Sequence, residues 1–260
     1  MRTLEQNLYA IFFRQFELGL VISPEQHDQA AKLRHRVFSE ECGYEPVTLS
    51  GRESDVYDQH SLHCVIYHRR TGIPASCIRL ILPARETRMA MEDLCEERIH
   101  LRYVQHIRDR RDRVCEVSRF AVDPAFRRTS YDESGEFLDS CGLEFSALER
   151  QSFGLLSTVA LLSALAMAHL SGRHYMFSLM EAKTPRLVRR STGVNFEQAG
   201  EPLEHRGQRV PFCLTAKGAV EQMRPDVAPL YHSISSMLAE DMQHGSAQPK
   251  YAGMAKVRRI

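Results

Sequence analysis

Apolar residues recur along the chain with two periods, and the switch between them outlines an α/β protein. Phe16 to Ile22 is a short apolar run, and Ser23, Pro24 and Glu25 follow as an N-cap, a first-turn proline and an early acid. Ala30, Ala31, Leu33, Val37 and Phe38 keep a helical stripe until Gly43 permits a turn, which predicts a helix over about Pro24 to Cys42. Ser61 to Tyr67 and Ala75 to Leu82 are β-rich runs separated by Arg69, Arg70, Thr71 and Gly72, and predict an antiparallel hairpin.

Ala84 to Arg113 is charged and loosely helical, Val114 to Val122 reads as a strand closed by Asp123 and Pro124, and a polar connection reaches Arg150. Gly154 to Leu170 predicts an apolar helix, followed by a strand over His174 to Met180. Thr184 and Pro185 open a short helix that ends near Gly193. Val210 to Leu214 is a last strand, Pro225 to Met242 a C-terminal helix, and Gly245 to Ile260 a basic tail predicted to be mobile. This order describes one domain over residues 1–244, a mixed sheet covered by helices on both faces.

Composition narrows the function classes. With 43% hydrophobic and 26% charged residues among 260, the chain is neither disordered nor fibrous. Its 34 basic residues nearly cancel 33 acidic ones, so nucleic acid and anionic lipid are not default partners. Seven scattered cysteines without a CxxC pair predict reduced thiols in a cytoplasmic protein, and the 12 histidines form no metal-ligand pattern. The first 16 residues lack the features of a secretory signal. Gly154 to Leu170 lies at the lower length limit for a membrane span and is expected to be a buried helix, which leaves only peripheral membrane contact open.

Four clusters carry candidate chemistry. Arg34 and Phe38 share a helix face with Tyr44 just beyond, and taken alone an edge arginine and core aromatics explain them better than a site does. Glu53, Asp55 and Asp58 surround Tyr57, as a solvated acidic loop or as partners for arginines and a substrate ammonium. Arg79 interrupts an apolar strand and needs carboxylate partners. Glu116, Ser118 and Arg119 put charge into a β-rich run, where an exposed edge strand is the competing explanation. Alternation sends Glu116 and Ser118 to one face and Arg119 to the other, so their cooperation predicts a bulge that resets the pleat.

The segments LRHRVFSEECGY, ESDVYD, CIRLILP and CEVSRFAV resemble the signature segments of the autoinducer (N-acyl-homoserine lactone) synthases and the N-acyl amino acid synthases. The overall layout is most similar to the PEP-CTERM/exosortase-associated acyltransferases. That resemblance implies a GNAT-type fold, an α/β protein with a mixed, mostly antiparallel central sheet and helices on both faces. It implies an acyltransferase with Glu116, Ser118 and Arg119 as catalytic residues and Arg34, Phe38, Tyr44, Asp55, Asp58 and Arg79 at the substrate. The implied reaction moves a fatty acyl group to the amine of an amino acid or similar small molecule, with no permanently bound cofactor and no metal.

Tyr44 stands where autoinducer synthases usually carry tryptophan, and the chain has none, which argues against S-adenosylmethionine as acceptor. After Val122, DPAFRRTSYDESG lacks a glycine-rich phosphate loop, favouring acyl carrier protein over acyl-CoA as donor. Arg110, Arg111, Arg127 and Arg128 are the expected docking residues for the carrier, with a solvated helix as the alternative. A lactone synthase and a non-catalytic acyl-binding or carrier-binding module are the rival functions.

Overall fold

The computed structural model describes residues 4–127 and 143–245, so Arg128 and the tail beyond Gly245 lie outside the described residues. Eight strands form one sheet: β1 (Phe16–Leu20), β2 (Ser61–His68), β3 (Pro74–Ile81), β4 (Val114–Val122), β5 (Tyr175–Met180), β6 (Glu197–Gln198), β7 (Leu203–Glu204) and β8 (Gln208–Thr215). Their order is β1-β2-β3-β4-β5-β8-β6, with β7 also on β8, and every pairing is antiparallel except β4 with β5. The mixed, mostly antiparallel sheet expected from the sequence is therefore present.

Helices cover both faces. On one lie α1 (Leu4–Gln15), α5 (Ala147–Phe153), α6 (Leu156–Leu170), α8 (Ala216–Gln222) and α9 (Ala228–Gly245), and on the other α2 (Pro24–Arg34), α3 (Ala90–Cys95) and α4 (Leu101–Asp109). The remaining helix, α7 (Thr184–Thr192), follows β5 and packs beside α6. The uncharged α6 is buried along most of its length against β2, β3 and β4, which is where its composition finds an apolar environment. Among the described residues no single helix is long and apolar enough to cross a membrane; α5 and α6 together reach that length but bend by 46°.

Ser23 caps α2 as expected: its hydroxyl accepts the Gln26 N–H at 3.2 Å and the Gln26 side chain accepts the Ser23 N–H at 3.0 Å. The predicted helix changes pitch at its end, because His35–Glu41 winds as a π-helix closed by Cys42 N–H donating to the Val37 carbonyl at 3.0 Å. Residues 4–15 carry a helix the sequence pattern did not indicate. Phe12 of α1 stacks on Phe16 at 4.9 Å, and Phe16 meets Phe126 and Phe153 at 6.0 Å, so partners distant in sequence fix this segment.

Two irregularities in β4 shape the centre of the sheet. Pairing with β5 covers only Val114–Glu116 against Tyr175–Phe177, after which the two strands part. On the other side Cys77 pairs with Ala121 but Arg79 with Ser118, so β4 holds one residue more than β3 over that interval. This is the predicted bulge, and Arg119 sits in it with φ 49°.

Leu33, fully buried, anchors α2 on the sheet with Val65, Cys77 and Ala121. Leu33→Ala is expected to lower unfolding free energy by about 3 kcal/mol. Leu187→Ala on α7, where the side chain is 57% exposed, should cost about 0.5 kcal/mol or less. Urea titration followed by circular dichroism checks the contrast.

Candidate active site

Arg79 is fully buried in the middle of β3, and its charge organises the residues around it. Its Nη1 donates to Asp58 Oδ1 at 2.6 Å, its Nη2 to Asp55 Oδ2 at 3.0 Å, and its Nε to Ser118 Oγ at 3.0 Å. The two aspartates are presented by a turn built from their own side chains. Asp55 Oδ1 accepts the Tyr57 N–H at 3.0 Å, and Asp58 Oδ2 accepts the Asp55 N–H at 3.0 Å. Tyr57 itself donates its hydroxyl to Asp93 at 2.7 Å.

Arg34, at the end of α2, joins the same group. Its Nη1 donates to Asp58 Oδ1 at 2.8 Å and its Nε to Glu53. Burial pushes the Asp58 carboxyl upward, but Arg34 and then Arg79 outweigh it and hold it well below the usual carboxylate range. The same balance of burial against the Arg79 hydrogen bond keeps Asp55 low. Behind them His63, 3.6 Å from Asp58, is pushed down to about 3 mainly by burial, so this ring is neutral. The acidic loop is thus a charge network rather than a solvated surface.

The bulge brings Arg119 onto the Arg79 face, where unbroken alternation would have turned it away. Arg119 Nε donates to Glu53 at 3.0 Å, and Nη2 lies 2.9 Å from Glu45 and 3.0 Å from Asp55. Its guanidinium sits 5.7 Å from the Phe38 ring centre.

Glu116 is on this face too, but outside the ion-pair network. It is 3% exposed, and its Oε2 accepts the Met91 N–H at 2.8 Å. Burial pushes its carboxyl up to about 7, against the Met91 hydrogen bond and the positive charge of Arg79. Cys115 points to the opposite face, in the apolar core, and burial raises its thiol, which leaves it unsuited to act as a nucleophile.

A cleft of about 360 Å³ opens where β4 and β5 part. Glu116, Ser118, Arg119, Phe38 and Tyr44 line it, with Arg206 and Arg209 from the β7–β8 hairpin. Val117, Leu161, Ser178, Met180, Val188 and Phe196 are shared with an apolar recess that runs beneath α6 between Leu162, Leu165 and Met176. Ser178 Oγ donates to the Val117 carbonyl at 3.1 Å at the point of divergence. A second hollow, of about 250 Å³, lies by Tyr175 at the other end of β5 and does not include Glu116. Among the described residues no three His, Cys, Asp or Glu side chains are grouped to hold a metal.

Of the expected site residues, Arg34, Asp55, Asp58, Arg79, Ser118 and Arg119 form one connected network, while Glu116, Phe38 and Tyr44 join it at the cleft. Glu45, Arg206 and Arg209 were not anticipated, because each stands in or beside a turn whose position depends on the folded sheet. Two of the expected docking arginines are engaged within the chain. Arg111 turns inward, with its Nη1 2.7 Å from Glu92 and its guanidinium donating to the Ala84 and Thr87 carbonyls. Arg127 holds Glu41 and the Val122 carbonyl. Arg110 and Arg127 flank opposite ends of the nine-residue β4, roughly 30 Å of strand, and form no common patch.

Residues 33–134 match the family model described as an acetyltransferase (GNAT) domain. No curated protein matches the chain. Among solved structures, TofI, in a ternary complex with an inhibitor and MTA, has a TM-score of 0.54 at 20% identity, over 77% of this chain and 90% of that one. FeeM, an N-acyl amino acid synthase from uncultured soil microbes, has a TM-score of 0.53 at 13% identity, over 83% and 98%. MesI, a CoA-dependent acyl-homoserine lactone synthase, has a TM-score of 0.53 at 15% identity, over 85% and 95%. The chain has a GNAT-like fold, with its polar cleft at the parting of β4 and β5.

Proposed function

We propose that the protein is an N-acyltransferase that moves a fatty acyl group from acyl carrier protein to the amine of an amino acid or similar small molecule. The observation that carries this reading is the junction of a polar cleft holding buried Glu116 with an apolar recess beneath α6. The recess has the apolar lining a fatty tail needs, and at about 50 Å³ it must widen along α6 to admit more than the first methylenes, while the polar side suits the amine.

In this mechanism the neutral amine attacks the thioester carbonyl carbon. The C–N bond forms as Glu116, directly or through a water, takes the amine proton. Collapse of the tetrahedral intermediate breaks the C–S bond, and the departing thiolate takes up a proton. A carboxyl whose burial brings it to about 7 is matched to proton transfer near neutrality. The backbone of β4 beyond its last pair with β5 is the place for the oxyanion. Arg79 positions Ser118 and the two aspartates rather than touching the reacting atoms.

Two features support a carrier-protein donor. Asp123 caps the turn after β4, accepting the Ala125 N–H at 3.1 Å, so a carboxylate stands where a CoA pyrophosphate would need free amides. The wall helix α7 lines the cleft through Thr184 and Val188 and exposes Arg186, Arg189 and Arg190, a surface suited to an acidic partner. A cytoplasmic location fits such a donor. The PEP-CTERM/exosortase association belongs to this proposal through the likeness of sequence layout. An N-acyl-homoserine lactone synthase is the second reading, favoured by the fold of MesI, and opposed by tyrosine at position 44.

Glu116→Gln is expected to lower kcat/KM by roughly a hundredfold or more while leaving the unfolding midpoint in place. The ionised carboxylate is the base, so wild-type activity should fall as pH drops through about 7, and the variant should lose that limb. Unchanged kinetics would remove Glu116 from the role. Thiol release assays should show acyl carrier protein serving better than acyl-CoA, and no release from either donor points to a non-catalytic module. Mass spectrometry of lipid extracts from expressing cells should reveal acylated amino acids stable to alkali; an alkali-labile lactone would instead support the second reading.

A further inference from the structure

Among the described residues only two other than glycine have positive φ, Arg119 at 49° and Arg206 at 55°, and both reach one atom. Glu45 Oε1 lies 2.9 Å from Arg119 Nη2 and 2.6 Å from Arg206 Nη2. Arg119 comes from the bulge in β4, on the floor of the cleft, and Arg206 from the tip of the β7–β8 hairpin. A left-handed backbone is unfavourable for a residue with a Cβ and persists where its surroundings impose it, often at ligand sites. Arg206 and Gly207, at φ 55° and 85°, are consecutive left-handed residues at the hairpin tip, as in a type I′ turn, and this turn aims the Arg206 side chain back at the cleft.

Glu45 has the character of an occupant. From Glu40 to Ser50 every other residue is exposed, and Glu45 turns in from that loop beside Tyr44. The Tyr44 and Glu45 N–H groups donate to the Phe38 carbonyl at 2.7 and 3.1 Å, and the loop is held further along by the Thr48 N–H donating to His35 at 3.0 Å. Arg119 keeps Glu53 and Asp55 as partners whether or not Glu45 is in place.

We propose that Arg119 and Arg206 form the carboxylate clip of the acceptor site, and that Glu45 is a built-in stand-in which an incoming carboxylate displaces. The inference rests on the amine-acylation reading and narrows the acceptor to amines that bear a carboxylate close to nitrogen. Two guanidiniums, one from the cleft floor and one from the hairpin tip, hold a carboxylate with charge-assisted hydrogen bonds and fix its orientation. An α-amino nitrogen is then two bonds from the clip, in the cleft that Ser118 and Glu116 also line.

Calorimetric titration with two probes that differ only in the carboxylate, N-dodecanoyl-leucine and N-dodecanoyl-isoamylamine, tests the clip without turnover. The wild-type protein should bind the acid at least tenfold more tightly than the amide. Arg206→Gln should erase that preference, and Glu45→Gln, which removes the competing charge, should widen it several-fold; circular dichroism confirms that each variant is folded. Equal affinity for the two probes, no binding of the acid, or a preference unmoved by Arg206→Gln would overturn the proposal. A preserved preference in a protein that acylates no amine would refute the transferase reading and leave the clip standing. Acyl transfer without the preference would do the reverse.

Discussion

The structure around the cleft depends on one buried guanidinium. Arg79 lies within β3 with no exposure to water, and removing its partners would strand a charge in the interior at a cost of roughly 3–5 kcal/mol. Asp55 and Asp58 must therefore stay in place, and with them the turn that presents them. Asp58 draws in Arg34, Arg34 draws in Glu53, and Glu53 and Asp55 meet Arg119. Such pairs add little net stability, because desolvation offsets most of their attraction. What they impose is geometry: the end of α2, the acidic turn, β3 and the bulge of β4 share one arrangement in which all the charges are matched.

Glu116 acquires its character by standing beside this network without belonging to it. The aspartates, each bonded to an arginine, stay ionised, while Glu116 meets one amide N–H and an apolar surrounding. Carboxylates on the same side of one sheet thus differ in proton affinity because of what each touches. The parting of β4 from β5 gives that carboxyl access to the cleft, and the bulge one turn of pleat away directs Arg119 to the same opening.

Much of this was legible in the residue order, and for physical reasons. Ser23, Pro24 and Gln26 announce α2 because capping is local, and the uncharged stretch of α6 announces burial. Arg79 in an apolar strand demanded acidic partners, and the mismatch between Glu116 and Arg119 demanded a bulge. Illegible features were those fixed by contacts distant in sequence. Helix α1 depends on rings from residues 126 and 153, and the π-winding after Arg34 could not be read from spacing. The inward turn of Arg111 toward Glu92 and the reach of Arg206 to Glu45 exist only once the sheet is assembled. Charge runs identify basic residues, whereas their outward presentation depends on neighbours such as Glu92 and Glu41 that occupy them first.

The recess beneath α6 lies on the reverse side of β4 from the charge network, and only Val117 and its neighbours at the gap connect the two. The apolar lining and the charged lining are consequently written in different residues. A larger side chain at Leu161 or Leu165 would fill the recess without disturbing a single ion pair, so descendants of this fold can reshape the apolar hollow by small steps while the charge network is inherited intact.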